Sequence, residues 1–210
     1  MKTTSLLPFA FLLFGAACSS APVDLDEPRR VVGTENNVRL DAEVFGERMN
    51  SGTTIGIKYD ITNQRNEPIA VADILPETAY DAETRTVTID LGSEVPGNEF
   101  LPRLITILPG EKKSFSSSAR IRVVVPPVST NPYQVVPNAL RLKLNFLGGS
   151  LESFRPLVEM TQKAMHDPKL ADTLFPQWVE RNEVVYTNAL PMQWEGAPAS
   201  SRNNITGRRF

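Results

Sequence analysis

Few side chains in this sequence are suited to catalysis or metal binding. The 210 residues include one histidine, His166, and one cysteine, Cys18. A single histidine excludes a two-histidine metal site or an HExxH motif within one chain. A Ser-His-Asp triad would have to use His166, which precedes Asp167-Pro168 at a predicted helix end, so we interpret it as a surface or capping residue. The sequence therefore predicts no catalytic residue, no metal site and no cofactor.

Carboxylates are the remaining candidates for acid–base chemistry. The central part of the chain carries several of them, including Asp73, Glu77, Asp81, Glu83 and Asp90. Two could in principle meet as an acid–base pair, but their spacing matches no calcium loop of the DxDxDG type. We interpret them as solvated loop charges, and a carboxylate-dependent hydrolase stays as an alternative.

Large aromatic side chains are concentrated in the last third of the chain, at Phe154, Phe175, Trp178, Tyr186 and Trp194. Because such side chains usually supply core area, we expect them to cap the open end of the β-sandwich inferred below. If they were exposed together, Phe154, Phe175, Trp178 and Trp194 would instead form a contact surface for a partner.

The first 17 residues have the layout of a secretion signal. Lys2 is followed by an apolar run from Leu6 to Phe14 and then by small residues, as in signal peptides. That run is far shorter than the roughly 20 residues needed to span a bilayer. Cys18 follows directly after Gly15-Ala16-Ala17.

This junction resembles the lipobox of bacterial lipoproteins. The resemblance implies that Cys18 is diacylated and becomes the new amino terminus after cleavage. Gly15 stands where such motifs generally carry Leu, Val or Ile, so cleavage after Ala17 without lipid is the alternative. Ser19, in place of Asp, looks in that family like outer-membrane sorting in a diderm host. The expected location is the cell envelope, facing the periplasm or the cell surface.

A lipid anchor of this kind would hold the rest of the chain on a tether. Each buried methylene contributes about 0.8 kcal/mol, so several acyl chains give stable anchoring. Residues 18–36 are predicted to be the lipidated cysteine and its tether, with a reach of up to about 60 Å when extended.

The charge balance argues against a nucleic-acid partner. The chain has 22 basic and 24 acidic residues, and residues 1–17 contain only Lys2, which leaves 21 against 24, or a net charge of −3, after cleavage. No basic stripe interleaved with aromatics is present to neutralise phosphates. The expected partners are the membrane, through the lipid, and another envelope protein or a glycan.

Residues 37–194 are predicted to form a β domain. The clearest strand signal is Thr54–Asn63, where Ile55, Ile57, Tyr59 and Ile61 alternate with other residues, as on a half-buried strand. Length and β-branched content predict a strand at Ile69–Ile74. Further strands are predicted at Val38–Val44, Ala79–Asp81, Thr86–Leu91, Arg103–Leu108, Ser114–Val125, Leu140–Phe146 and Glu183–Asn188.

Short alternating strands separated by turns favour antiparallel sheets packed face to face. The stretch Ile57–Ile74, followed by the Leu-Pro-Gly-Glu turn at residues 108–111, resembles Ig-like or fibronectin-type modules of bacterial envelope proteins. The resemblance implies a mostly β fold, an antiparallel Ig-like β-sandwich.

Residues 151–182 break the strand period and predict two or three short helices. Apolar residues recur there at helical spacing, and Pro176 should divide the second stretch. We expect a short helical crossover that leads to a closing edge strand, which ends at Trp194. Residues 195–210 lack periodicity and are predicted to be a disordered tail.

Together these features favour a membrane-anchored, non-catalytic envelope lipoprotein that acts as a binding or assembly module. Two alternatives stay open. One is the carboxylate-dependent envelope hydrolase. The other is an inhibitor of a secreted protease that presents a rigid loop such as Asn63–Pro68.

Overall fold

The computed structural model of the chain describes residues 29–97, 100–123 and 136–195. The predicted signal peptide, Cys18, the first part of the predicted tether, Val124 and Val125 of the strand predicted at Ser114–Val125, and the tail from residue 196 lie outside these ranges. Strands account for 52% and helices for 14% of the fold. The prediction of a mostly β protein is confirmed.

The elements follow one another in this order. The strands are β1 (Arg29–Glu35), β2 (Val38–Phe45), β3 (Arg48–Met49), β4 (Thr54–Asn63), β5 (Ile69–Ala72), β6 (Glu77–Asp81), β7 (Thr86–Leu91), β8 (Phe100–Pro102), β9 (Leu104–Ile107), β10 (Lys112–Arg120), β11 (Ala139–Leu147), β12 (Ala164–His166), β13 (Asn182–Tyr186), β14 (Leu190–Pro191) and β15 (Gln193–Trp194). The helices are α1 (Arg155–Val158), which follows a 3-10 turn at Glu152–Phe154, and α2 (Pro168–Arg181).

A four-stranded antiparallel sheet has the order β1-β2-β4-β10. β1 and β2 are joined by Asn36 and Asn37, which have φ angles of 52° and 55°, as a two-residue hairpin turn requires. The tether predicted for residues 18–36 is therefore too long, because residues 29–35 form strand β1. The strand is held by its pairing with β2 and by the burial of Val31.

A seven-stranded sheet has the order β6-β7-β11-β5-β9, with β13 and β14 paired to β11. Contrary to the expectation of purely antiparallel sheets, β7 runs parallel to β11. β7 pairs with Ala139 to Leu144 of β11, and β5 pairs antiparallel with Leu147 at the other end of the same strand. The sheet therefore forks beside β11, with β7-β6 on one arm and β5-β9 on the other.

The inward faces of both sheets contribute to one hydrophobic core. Leu40, Val44 and Ile57 come from the four-stranded sheet, and Ile89 and Leu142 from the seven-stranded sheet. Each alternates along its strand with a residue on the opposite face, which is the pattern expected of strands with one face in the core.

The helices form a second layer on the outer face of the seven-stranded sheet. Ala70, Leu104 and Leu147 point away from the main core and pack with Leu174 and Trp178 of α2. The helices were expected to form a short crossover that leads to a closing edge strand. They lead into β13, which pairs antiparallel with β11, the long strand before them.

α2 also continues through Pro176, where the sequence predicted a break. Pro176 is exposed, while Ala171, Leu174 and Trp178 form the packed stripe on the other side. Burial of that stripe outweighs the loss of one backbone hydrogen bond at the proline.

Both edges of the four-stranded sheet are tied to the other sheet. At β1, the Asn188 N–H donates to the Val32 carbonyl at 3.1 Å, and the Val32 N–H donates to Asn188 Oδ1 at 2.8 Å. The backbones approach so closely that a Cβ at Gly33 would overlap the carbonyl oxygen of Tyr186. At the opposite edge, Thr78 Oγ1 donates to the Arg120 carbonyl at 3.2 Å.

Candidate binding face

The outer face of the four-stranded sheet forms a shallow depression of about 440 Å³. We call it the polar face; its side chains are Arg30, Asp41, Glu43, Lys58, Asp60, Ser114 and Ser116. These residues point outward because their neighbours in sequence, such as Ala42 and Ile57, point into the core. The face thus includes β4, the strand with the clearest alternation of inward and outward residues in the sequence.

One row of the polar face alternates in charge across the strands. Arg30 lies opposite Glu43, and Glu43 lies opposite Lys58 in the strand register. Arg30 Nη2 is 3.4 Å from Glu43 Oε1. Opposite charges on adjacent strands stabilise the strand pairing modestly, so this row of charges supports the register of β1, β2 and β4.

The next row places two carboxylates opposite each other, at Asp41 and Asp60. Like charges in this position would repel. Arg39 compensates Asp41 with two hydrogen bonds of 2.8 Å. Lys112 Nζ is 2.6 Å from Asp60 Oδ2, and Ser114 Oγ donates to Asp60 Oδ1 at 2.6 Å. Each carboxylate therefore has its own donors.

These contacts lower the pKa of both carboxyl groups. For Asp41 the main cause is the hydrogen bonds from Arg39, and for Asp60 it is the hydrogen bonds from Lys112 and then Ser114. A glycosidase of the two-carboxylate type needs one acid whose pKa is raised so that it is protonated near neutral pH. The pair Asp41 and Asp60 lacks that property.

Beneath the polar face, two aromatic rings line the inner side of the same strands. Tyr59 and Phe115 are cross-strand partners and stack with centroids 5.1 Å apart and an interplanar angle of 13°. Burial, and then the nearby charge of Asp73, raise the pKa of Tyr59 to about 12. The Tyr59 phenol therefore stays neutral, and its ring forms part of the layer beneath the depression.

The aromatic residues singled out in the sequence are not gathered on one surface. Phe154 and Trp178 are completely buried in the second core and meet edge to face at 5.8 Å. Trp178 Nε1 also donates to the Ser93 carbonyl at 3.0 Å. They hold the helices on the sheet and do not cap an open end, so neither is available to a partner while the fold is intact.

The other three aromatics lie apart from this pair. Phe175 is 45% exposed on the outer side of α2. Trp194 is half-buried against the main core. Tyr186 lies under the Arg141 guanidinium, which is 4.7 Å from the ring centroid. Of the predicted contact set, Phe175 alone is well exposed.

The loop considered for protease inhibition is rigid but does not present its basic residue. Asn63 is fully buried, and its Nδ2 donates to the carbonyls of Glu67 at 2.8 Å and Ile107 at 3.0 Å. Arg65 Nη1 is 2.6 Å from Glu183 Oε1, and both side chains are largely covered. Sequence reasoning missed Asn63 because a polar residue at the end of a strand reads as part of the turn.

His166 belongs to strand β12 and not to a helix end. Its ring meets Phe100 edge to face at 5.0 Å. Asp167, the next residue, is the N-cap of α2, and its Oδ1 accepts from the Leu170 N–H at 3.0 Å. The capping role therefore falls to the aspartate.

Within the three described ranges, no group of three or more His, Cys, Asp or Glu side chains is arranged to hold a metal ion. No helix in those ranges is both long enough and apolar enough to cross a bilayer. Comparison of the chain with protein families, with curated proteins and with solved structures finds no match.

Proposed function

We propose that this chain is a lipid-anchored, non-catalytic binding module of the bacterial cell envelope, an Ig-like β-sandwich whose polar face receives another envelope protein. The observation that carries the proposal is the polar face itself. Its carboxylates Asp41 and Asp60 are held by donors from neighbouring side chains on a four-stranded sheet, so they need little reordering when a partner binds. Preset charges of this kind give specificity and fast association.

A protein suits the polar face better than a glycan does. Sugar rings commonly stack on exposed aromatic side chains, but the aromatic residues that line the depression, Tyr59 and Phe115, are packed against the core. Phe45, which is partly exposed on β2, lies outside this lining. Lys58 Nζ already lies 5.5 Å from the centroid of the Phe45 ring. Alternating Arg30, Glu43 and Lys58 are complementary to a partner surface with the opposite alternation.

A carboxylate-dependent hydrolase is less well supported. In the polar face both candidate acids have a lowered pKa. Asp90, on the other sheet, has a raised pKa because it is buried. However, its Oδ1 is closed to solvent and lies 3.7 Å from Lys143 Nζ, so it is poorly placed to transfer a proton to a large substrate.

The lipid anchor is tested by mass spectrometry of the mature amino terminus. The expected product begins at Cys18 and carries the mass of the acyl chains, and the variant Cys18→Ser moves the protein from the membrane fraction to the soluble fraction. A mature chain with a free thiol at Cys18, or one that begins elsewhere, would disprove the anchor without affecting the binding face.

The binding face is tested by photo-crosslinking in cells. A photoreactive amino acid at Ser116, in the polar face, is compared with the same amino acid at Asp172, which is exposed on α2. We expect a discrete protein adduct from position 116 that is lost with Lys58→Glu and kept with Lys169→Glu, a matched charge reversal on the helix. Equal adducts from both positions, or adducts that ignore Lys58→Glu, would contradict the proposal.

A further inference from the structure

β10 is the last strand of the four-stranded sheet, and among the described residues no strand pairs with its outer edge. The strand has nine residues, more than the roughly five or six that are most common. Its register with β4 runs from Lys112 to Arg120 without a bulge. At the other side of the sheet, the edge of β1 is bonded to Asn188. The outer edge of β10 is therefore the long open edge of this sheet.

Hydrogen bonds at the two ends of β10 show which of its backbone groups face β4. The Ile121 N–H donates to the Thr53 carbonyl at 2.8 Å. The Glu111 carbonyl accepts from the Asn63 N–H at 3.0 Å. Bonded and non-bonded residue pairs alternate along an antiparallel ladder, and the register between these two bonds is continuous. The odd-numbered residues of β10 therefore direct their backbone N–H and C=O groups toward β4.

The even-numbered residues direct the same groups toward the open edge. At one end of that edge, Thr78 Oγ1 donates to the Arg120 carbonyl and accepts from the Arg122 N–H, each at 3.2 Å. These two residues confirm the alternation from the other side of the strand. The even-numbered residues in the middle of the strand, whose backbone groups face outward in the same way, are Ser114, Ser116 and Ser118.

The middle of the open edge lacks the usual protection against strand addition. Exposed edges are commonly guarded by lysine, proline, a bulge or an inward-pointing charge. Lys113 supplies such a guard at one end, where its Nζ donates to the Thr106 carbonyl at 2.8 Å. Between Lys113 and Arg120 the sequence is Ser-Phe-Ser-Ser-Ser-Ala, which contains none of these devices. This part of β10 is a template for an additional strand.

A depression of about 390 Å³ lies along one end of the open edge. We call it the edge groove. Its first wall is formed by β10 and the residues that follow it, and its second wall by β6 and the connection that leads to it. The lining residues are Ser118, Arg120, Arg122, Leu75, Pro76, Glu77 and Thr78. Leu75 is 79% exposed, so the second wall offers an apolar contact next to the backbone groups of β10.

The charges of the edge groove favour an acidic occupant. Arg120 and Arg122 are exposed, and neither forms an ion pair with another described residue. Glu77 supplies one negative charge on the second wall, so two positive charges face one negative charge. A carboxylate can accept N–H groups from a guanidinium in a charge-assisted pair.

The same charges disfavour a second copy of this chain. Antiparallel pairing of two β10 edges about Ser116 would place Lys112 of each copy opposite Arg120 of the other. Like charges directly opposite each other destabilise strand pairing. The occupant that fits is therefore an extended acidic segment of a different protein.

We propose that the open edge of β10 takes up such a segment as an additional β-strand. The backbone of the segment pairs with Ser114, Ser116 and Ser118, and its carboxylates bind Arg120 and Arg122. An apolar side chain of the segment contacts Leu75. This site goes beyond the polar face, because it uses the backbone edge of β10, and it depends neither on the lipid anchor nor on the partner of the polar face.

The probes are synthetic peptides, tested by NMR hydrogen exchange on the mature chain proposed above. In the free chain we expect fast exchange of the Ser114, Ser116 and Ser118 amides and slow exchange of the Phe115 and Ser117 amides. The peptide acetyl-Val-Thr-Val-Thr-Val-Glu-Glu-amide should slow the three fast amides at least about 10-fold. The same peptide with lysine for both glutamates, or with N-methylated valines and threonines, should bind at least about 10-fold more weakly, since about 1.4 kcal/mol corresponds to tenfold.

Two variants of the chain test the backbone and the charges separately. Ser116→Pro removes an outward N–H and spares the bonds to β4, as proline does on edge strands, and should weaken binding of the acidic peptide at least about 10-fold. Ser116→Ala is its matched control and should bind normally. The double variant Arg120→Glu with Arg122→Glu should prefer the lysine peptide. Lys58→Glu, on the polar face, should leave binding of the acidic peptide unchanged, which separates this site from the proposed function.

Three results would overturn the inference. Slow exchange of the Ser114, Ser116 and Ser118 amides in the free chain would show that another part of the chain or a second copy already covers the edge. No saturable binding of the acidic peptide up to about 1 mM would exclude a useful affinity. Equal binding of the lysine or N-methylated peptide would show that neither the arginines nor strand pairing holds the segment.

Discussion

The polar side chains on the outer faces of the two sheets differ in how their hydrogen bonds are satisfied. On the four-stranded sheet, Asp41 and Asp60 are open to water, and each has hydrogen-bond donors from its neighbours. On the seven-stranded sheet, Asp90 and Asn145 lie beside a layer of helices, and each has one buried oxygen with no hydrogen-bond donor among the described residues. The two aspartates of the first sheet thus have their hydrogen bonds within the chain, and the second sheet contains two buried acceptors for which the described residues supply no donor.

This difference comes from the helices and not from the strands. Polar residues at outward positions are easily satisfied when water covers the sheet, as it does on the polar face. The layer formed by α1 and α2 removes water from the outer side of β11, so any polar residue there needs a partner from the protein or from a ligand. Four variants probe this contrast, from the largest expected effect to the smallest.

The helical layer should depend on Trp178. Trp178→Ala removes the largest buried side chain of the second core and its hydrogen bond to Ser93, so we expect a loss of about 3–5 kcal/mol in the free energy of unfolding. Urea denaturation followed by circular dichroism measures it. Phe175→Ala, an exposed aromatic on the same helix, is the matched control and should change stability by less than about 0.5 kcal/mol. Equal effects would contradict the packing of α2 on the sheet through Trp178.

The polar face should depend on Gly33. In Gly33→Ala the added methyl group meets the Tyr186 carbonyl, which pushes β1 away from the segment that closes the sheet. We expect a loss of about 1–3 kcal/mol, with faster amide exchange in β1 and unchanged exchange in α2. Gly56→Ala, in strand β4, controls for the substitution, because its new Cβ makes ordinary van der Waals contacts, the nearest of them 3.6 Å from the Phe45 ring. Uniformly faster exchange in both regions of Gly33→Ala would contradict a local role.

Asp90 should lower stability when it is charged. Its pKa is raised in the folded chain, so the folded state binds the proton more tightly than the unfolded state, and stability falls as pH rises through the folded pKa. Asp90→Asn should therefore raise Tm by about 1–3 °C at pH 7 and lose this advantage below about pH 4, where the carboxyl is protonated in both states. A gain that is the same at both pH values would point to a cause other than charge.

Asp60 should behave in the opposite sense with a smaller effect. Its pKa is lowered by Lys112 and Ser114, so its contribution is present above the unfolded pKa and is lost as pH falls through the folded one. Asp60→Asn should destabilise the chain by less than about 1 kcal/mol at pH 7, because the pair is solvent-exposed and salt-screened. Urea midpoints at low and high salt measure it, with Asp172→Asn on the helix as the control. A larger loss at high salt would refute the electrostatic explanation.

The strands of the polar face were accessible from the sequence because their pattern is local. Thr54–Asn63 alternates cleanly and has the same bounds in the structure. β1 was missed because Val31, Val32 and Gly33 do not alternate, and its edge is completed by Asn188, 156 residues from Val32. No local pattern carries that information.

The sequence contains one indication of the helical layer, which an analysis of alternation alone does not detect. β5 is a continuous apolar run, Ile69-Ala70-Val71-Ala72, and all four side chains are buried. A run without alternation is typical of a strand covered on both faces. The burial of Asn145 had no such signal. Asn145 occupies an ordinary outward position of β11, and its burial follows from the packing of α2.

The contact between Gly33 and Tyr186 joins segments that are far apart in the sequence. It therefore bears on the order in which parts of the chain can fold. Of the described strands, β1 is the first to leave a ribosome or a translocation channel, but the residues that close its free edge are among the last of the described fold. Contacts so distant in sequence slow folding, because a long loop must be ordered before they form. Under the export proposed above, β1 would stay without its edge partner until nearly all of the described fold had been translocated.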